Sequence, residues 1–320
     1  MQLHKHKKRQ NNMHFSFPTR SLYTKLPLII MINVFAFGLV NAQTYIKDMA
    51  RQSARSDQRT GGVIETAKFA EGERDIKFSV NVPAFKLTLW QNGKEIKNYP
   101  IGVGMKDFPI FVGLKNFNNV IWKPVWDAPV SEWVTASLRG KSIKPTDPRN
   151  PLGKIKIPLG HGYLIHQAKG KRDLGSLVSH GCIRMMLKDL YDLNDKIISA
   201  RSLEVLPKDI VKARRTKKTL YVEIDEKIPI EITYDTIVAE AGVLRIFPDV
   251  YSYKKNTVKN LRKELQENGI DSENISDESL EKMIAKAKGK KKYSISLESI
   301  RNGNYLEGKV SPVLSAKDKK

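Results

Sequence analysis

The 320-residue chain contains one cysteine, Cys182, which excludes an internal disulfide and a cysteine-rich metal site. The lone thiol is therefore either an inert packed residue or a working nucleophile. Acids are scarce as well, with 34 Asp and Glu against 56 Lys and Arg and a formal charge of +22. Such an excess suits a polyanionic or acidic partner without naming one. No nucleic-acid recognition motif accompanies it, so nucleic acid is not an expected partner. Gly and Pro are modest at 20 and 15, and 40% of the residues are hydrophobic, which excludes collagen-like or fully disordered chains. There is core enough for one large or two modest domains. No internal repeat is evident.

The first 42 residues read as an address. Lys5, Lys7, Lys8, Arg9, Arg20 and Lys25 precede the apolar run Leu26 to Val40, and no acid occurs among them. That run has 15 residues interrupted by Pro27, Asn33 and Gly38, which is short for a membrane span. Val40-Asn41-Ala42 offers small residues to a signal peptidase, so cleavage before Gln43 is expected, with Met13 an alternative start. The alternative is an uncleaved N-terminal anchor, the only case in which the membrane is a partner. Either way the body is expected to be exported, to the periplasm or cell envelope. Loss of the leader removes six cations and no acid, leaving a charge near +16, compatible with an anionic wall.

Residues 43–76 are polar and read as a linker. From Phe78 apolar residues alternate with polar ones through Val80 and Val82, then Phe85, Leu87 and Leu89, a period of two that means strands with one buried face. Asn92-Gly93 predicts a tight hairpin into the next strand. Short apolar runs recur at Val120 to Trp126, Ile155 to Ile157, Tyr163 to Ile165 and Ile228 to Tyr234, giving a mainly β, sandwich-like fold. A helix is expected after Cys182, where Met185, Leu187, Leu190, Leu193 and Ile197 recur at spacings of two to four and Leu187 to Leu193 lacks Gly and Pro. Residues 257–268 and 278–288 predict two short amphipathic helices, with Asp277 as N-cap and Gly289 as stop.

Outside the leader only three histidines remain, His161, His166 and His180, all within 21 residues upstream of Cys182. An imidazole base and a helix N-terminus would both lower the thiol pKa and raise the thiolate fraction. Three readings compete. Cys182 is a nucleophile with backbone N–H groups as oxyanion hole; or the histidines and Cys182 ligate zinc, at spacings that match no common motif; or the cysteine is structural.

The stretch Ser179-His180-Gly181-Cys182-Ile183-Arg184-Met185, with His166 sixteen residues before the cysteine, resembles the active-site signature of the L,D-transpeptidases, the YkuD-like catalytic domains. Val80 to Trp90 with Asn92-Gly93-Lys94 is similar to the family's opening hairpin, and Asn150-Pro151-Leu152-Gly153 to the approach to its histidine. The resemblance covers about residues 77–252 and implies a cysteine nucleophile that attacks a peptidoglycan tetrapeptide stem, expels D-alanine and leaves a thioester. An amine of a second stem then gives a 3→3 crosslink. An envelope protein's lysine is an alternative acceptor, and no cofactor is implied.

Residue by residue, the resemblance makes Cys182 the nucleophile and His166 its base, with the Gln167 backbone carbonyl orienting the imidazole. It assigns the oxyanion loop to Ser179, His180 and Gly181, and Arg184 to a substrate carboxylate or carbonyl. His161 has no role in the family. Trp122, Trp126 and Trp133 line a groove or pack the core. Gln167 stands where the family often has Gly or Ser, and a basic insert at about 194–227 and a small helical extension at 253–320 depart from its pattern. Rival readings are an L,D-carboxypeptidase or hydrolase using the same thiol, and a non-catalytic peptidoglycan-binding protein.

Overall fold

The computed structural model describes residues 75–201 and 207–318. The expected leader, nearly all of the linker and residues 202–206 of the insert lie outside the described residues. Among the described residues no helix is long and apolar enough to cross a membrane.

The strands follow from alternation. In β1 (Ile76–Asn81) Ile76, Phe78 and Val80 are buried and the residues between them are not. β2 (Lys86–Gln91) buries Leu87 and Leu89, and Asn92 and Gly93, both at positive φ, turn the chain into β3 (Lys94–Pro100) as expected. Next come β4 (Val103–Gly104), β5 (Gly113–Trp122), β6 (Trp126–Asp127), β7 (Ser142–Ile143), β8 (Ile155–Gly160), β9 (Tyr163–Gln167), β10 (Leu177–Ser179) and β11 (Ile183–Met185). Helices α1 (Leu187–Arg201) and α2 (Pro207–Arg215) precede the long β12 (Leu220–Thr233).

Eight strands form one sheet in the order β11, β9, β8, β5, β12, β1, β2, β3. Laid flat, seven steps of about 4.8 Å would hold β11 and β3 roughly 34 Å apart. Instead Gly102, two residues past β3, exchanges two backbone hydrogen bonds with Arg184 of β11: Gly102 N–H to the Arg184 carbonyl at 2.9 Å, and the reverse at 2.8 Å. The ends of the sheet meet, so the mainly β, sandwich-like expectation is met by one sheet bent round one core. That core contains Tyr99 of β3, Trp122 of β5 and Ile183 and Met185 of β11. Trp122 is fully buried, donates its indole N–H to Asn194 Oδ1 at 3.1 Å and stacks on Tyr191, fastening α1 to the sheet.

Three expectations are corrected. The helix expected after Cys182 is present but starts at Leu187, not beside the thiol: Ile183 and Met185 alternate inward as β11, pairing with β9. The extension is not simply helical either. β13 (Ile237–Glu240) and β14 (Val243–Ile246) pair with β15 (Lys291–Ser296) and β16 (Lys309–Pro312) in a four-stranded sheet. Helices α3 (Val258–Glu267), α4 (Asp277–Ala285) and α5 (Leu297–Arg301) pack on it around a second core that includes Leu261, Leu280 and Tyr293. Finally, the N-cap of α4 is Ser276, whose hydroxyl accepts from the Ser279 N–H, and Asp277 is the first helical residue. The expected insert contains α2 and the start of β12, where Val222 and Ile224 join the main core.

The closure explains a glycine whose φ is ordinary. A Cβ on Gly102 would fall 2.4 Å from the Asp173 carbonyl oxygen and 3.0 Å from Val178 Cγ2. Gly102→Ala is expected to lose about 1–3 kcal/mol of stability, read as a lower denaturant midpoint; an unchanged midpoint would show that this contact does not close the sheet.

Candidate active site

Strand alternation assembles the site. β9 and β11 run parallel with Ile183 opposite Ile165, Arg184 opposite His166 and Met185 opposite Gln167. Ile165, Ile183 and Met185 point into the core, so His166 and Arg184 share the other face, and Cys182 directly precedes β11. The cysteine follows Gly181, whose φ of +103° and closeness to the Tyr163 ring exclude a side chain: a Cβ would lie 2.8 Å from Tyr163 Cε1. Ser179 is buried and donates its hydroxyl to the Cys182 carbonyl at 2.5 Å, fixing the turn from within. No hydrogen bond among the described residues occupies the backbone N–H of Gly181 or Cys182.

The thiol is half-buried and lies 3.9 Å from the Gly162 carbonyl. Burial pushes its pKa up, and the Leu164 backbone and the Arg184 charge only partly oppose this. The expected depression is thus reversed by burial, and the helix that was to oppose it starts only at Leu187. His166 is 4% exposed, and burial aided by Arg184 lowers its pKa to about 4. Its Nδ1 has no hydrogen-bond partner, although the Gln167 backbone beside the ring favours the protonated form. The Gln167 side chain turns away and accepts from the Lys154 N–H at 3.0 Å. No hydrogen bond among the described residues joins Cys182 to His166, and at neutral pH the two are a thiol and a neutral imidazole.

Arg184 is already engaged. Its Nη1 is 3.1 Å from Asp173 Oδ2 with both side chains nearly buried, and Asp173 also accepts the Lys169 N–H at 2.8 Å. Arg184 Nε is buried without a partner. The guanidinium lowers the pKa of His166, Cys182 and His180 alike, which makes it the electrostatic centre of the site. His180 is clasped by aromatic rings: Trp133 stacks on it with centroids 4.1 Å apart, and Phe108 meets it edge-on at 4.6 Å. Trp133 is 40% exposed, so it lines the site while Trp122 serves the core. His161 lies at the exposed tip of the β8–β9 hairpin. The histidines and Cys182 do not converge, and no group of three metal-ligating side chains is found among the described residues.

Asp173, Phe108 and Tyr163 escaped sequence reasoning. Asp173 had one signal, an acid directly after Lys171-Arg172 in a chain short of acids. The two aromatics had none.

With this geometry in view, the chain can be set beside known proteins. Residues 77–212 match the model of the YkuD family, the L,D-transpeptidase catalytic domain. Among curated relatives, the probable L,D-transpeptidase YbiS of Escherichia coli K12 is 25% identical over 83 residues, 26% of this chain and 27% of its own length. The probable L,D-transpeptidase ErfK/SrfK of Salmonella typhimurium is 24% identical over 126 residues, 34% of this chain and 41% of its own length. The chain thus spans well under half of these relatives. Solved structures similar to it include the catalytic domain of the E. faecium L,D-transpeptidase (15% identity, TM-score 0.33, covering 50% of this chain and 98% of that one). Another is the L,D-transpeptidase LdtMt1 in complex with imipenem (16% identity, TM-score 0.31, covering 49% and 58%).

The buried imidazole has a consequence for stability. Above pH 6.5 it is neutral whether the chain is folded or not; between 6.5 and about 4 the unfolded chain binds a proton that the folded one refuses. Stability should therefore fall as pH drops through that window, by on the order of 3 kcal/mol when the whole window is crossed. His166→Gln removes this contribution, so urea midpoints of wild type and variant should converge toward pH 4; parallel curves would contradict the assignment.

Proposed function

We propose that the protein is an exported L,D-transpeptidase of peptidoglycan in which Cys182 is the nucleophile and His166 the general base. The observation that carries this reading is the pairing of Arg184 with His166 on neighbouring strands, with Cys182 directly before β11, inside a stretch that matches the YkuD domain. The resting thiol and imidazole are both neutral, so the thiolate forms only as the reaction proceeds. Substrate binding brings Sγ and the imidazole within reach. As His166 takes the S–H proton, Sγ attacks the carbonyl of the third stem residue. The unoccupied N–H groups of Gly181 and Cys182 receive the developing oxyanion.

Collapse of the tetrahedral intermediate breaks the C–N bond, and His166 returns its proton to the leaving D-alanine amine. The thioester is resolved by an amine of a second stem, or of an envelope protein, which loses one proton to His166 and restores the thiol. Water as acceptor would make the enzyme a carboxypeptidase. Arg184, neutralised on one side by Asp173, keeps His166 unprotonated at rest and sets the positive potential that a substrate carboxylate or carbonyl meets. The stacked Trp133 and His180 form the wall against which a stem lies.

A carbapenem carbonyl traps such a thiol as a thioester. Mass spectrometry should show one adduct on Cys182 that is absent in Cys182→Ala, and muropeptides treated with the enzyme should contain 3→3 dimers. An unmodified thiol would overturn the reading, while shortened stems without dimers would assign hydrolysis.

A further inference from the structure

Next to the site lies a second concavity that the thiol chemistry does not use. A groove of about 580 Å3 runs between β10 and the C-terminal elements, walled by Leu177, Pro248, Val250 and Ile284. Most of this wall lies beyond residue 212, outside the YkuD match. Its rim carries three ammonium groups, those of Lys106, Lys288 and Lys290, against one carboxylate, Asp249. That carboxylate is committed inward: Oδ1 accepts from the Tyr234 hydroxyl at 2.6 Å and the Tyr253 N–H at 3.0 Å, and Oδ2 from the Lys255 N–H at 3.1 Å. Lys106 and Lys290 donate only to the serine hydroxyls of Ser252 and Ser176, at 2.9 and 3.1 Å. Among the described residues none of the three lysines has a carboxylate partner.

The groove is also joined to the catalytic loop. Ser176 and Leu177 lead directly to Ser179, whose hydroxyl holds the Cys182 carbonyl. Met105, beside Lys106, donates its N–H to the Ser179 carbonyl at 2.8 Å, and the same loop continues to Phe108 against His180. Apolar walls with unneutralised cations at the rim suit a ligand of methylene and methyl groups bearing carboxylates. A phosphate polymer would leave the apolar wall unused, and a neutral glycan would leave the lysines unused.

We propose that this groove binds the carboxylate-bearing portion of a peptide stem whose reacting end sits at Cys182, with Lys288 and Lys290 pairing to its carboxylates. The inference rests on the stem-peptide reading of the site and extends it to the C-terminal elements. Exposed lysine–carboxylate pairs are individually weak, so their effect is modest and salt-sensitive.

The test uses the full chain as Cys182→Ala, which keeps the ligand intact, with the labelled tetrapeptide L-Ala–γ-D-Glu–meso-diaminopimelate–D-Ala and its side-chain-amidated form. Fluorescence anisotropy should show amidation weakening binding about three- to tenfold. K288E/K290E should weaken the acidic peptide by a similar factor and abolish the discrimination, with K288Q/K290Q as a milder second variant and thermal melts checking the fold. Equal binding of the two peptides, or discrimination that survives both double variants, would overturn the proposal. So would inorganic polyphosphate binding through these lysines while the acidic peptide does not. Carbapenem labelling of wild-type Cys182 separates the two levels: an adduct without charge discrimination sinks the groove alone, and no adduct sinks the parent reading.

Discussion

The pair of backbone hydrogen bonds between Gly102 and Arg184 is the constraint on which the site depends. β11 is only three residues long, too short to be held by its pairing with β9 alone, and Gly102 grips its other edge. Between those partners Ile183 and Met185 are driven into the core, which obliges Arg184 to face His166. The same closure sets the Asp173 carbonyl against Gly102 and leaves its carboxylate free to meet the guanidinium. Shape and electrostatics thus have one origin, the meeting of the two ends of a single sheet.

The resulting site is poised by burial rather than by a preformed ion pair. A thiolate–imidazolium pair would need its cationic half stabilised, yet Arg184 stands opposite His166 and burial adds to its effect. The same cation favours the thiolate without outweighing the burial of the thiol. A single positive charge therefore keeps the base neutral at rest, while making it a weaker proton acceptor, and on the other partner favours the thiolate. Asp173 moderates that charge and explains how an arginine is tolerated at such low exposure.

The sequence disclosed what depends on local pattern. Alternation from Phe78 to Leu89 gave the first strands, Asn92-Gly93 gave their hairpin, and Ser179 to Met185 with His166 marked the chemistry. Non-local facts were hidden. The Gly102 bridge joins residues 82 positions apart in the chain and leaves no periodic trace. β11 was mistaken for the start of a helix because two inward residues, Ile183 and Met185, run straight into Leu187 and Leu190, whose helical spacing is stronger. β15 and β16 leave little trace in the sequence, since only Tyr293 and Ile295 mark the first, amid lysines, and the second is mostly exposed. The direction of the thiol pKa was unreadable because it is set by burial, which no motif encodes.

Direct titration of the Cys182 thiol tests the central claim most closely. Thiolate absorbance in the ultraviolet, followed against pH with Cys182→Ala as baseline, should rise only above the ordinary cysteine range, while the His166 imidazole remains neutral by NMR at pH 7. A thiolate already present at neutral pH, appearing together with a protonated His166, would contradict the account.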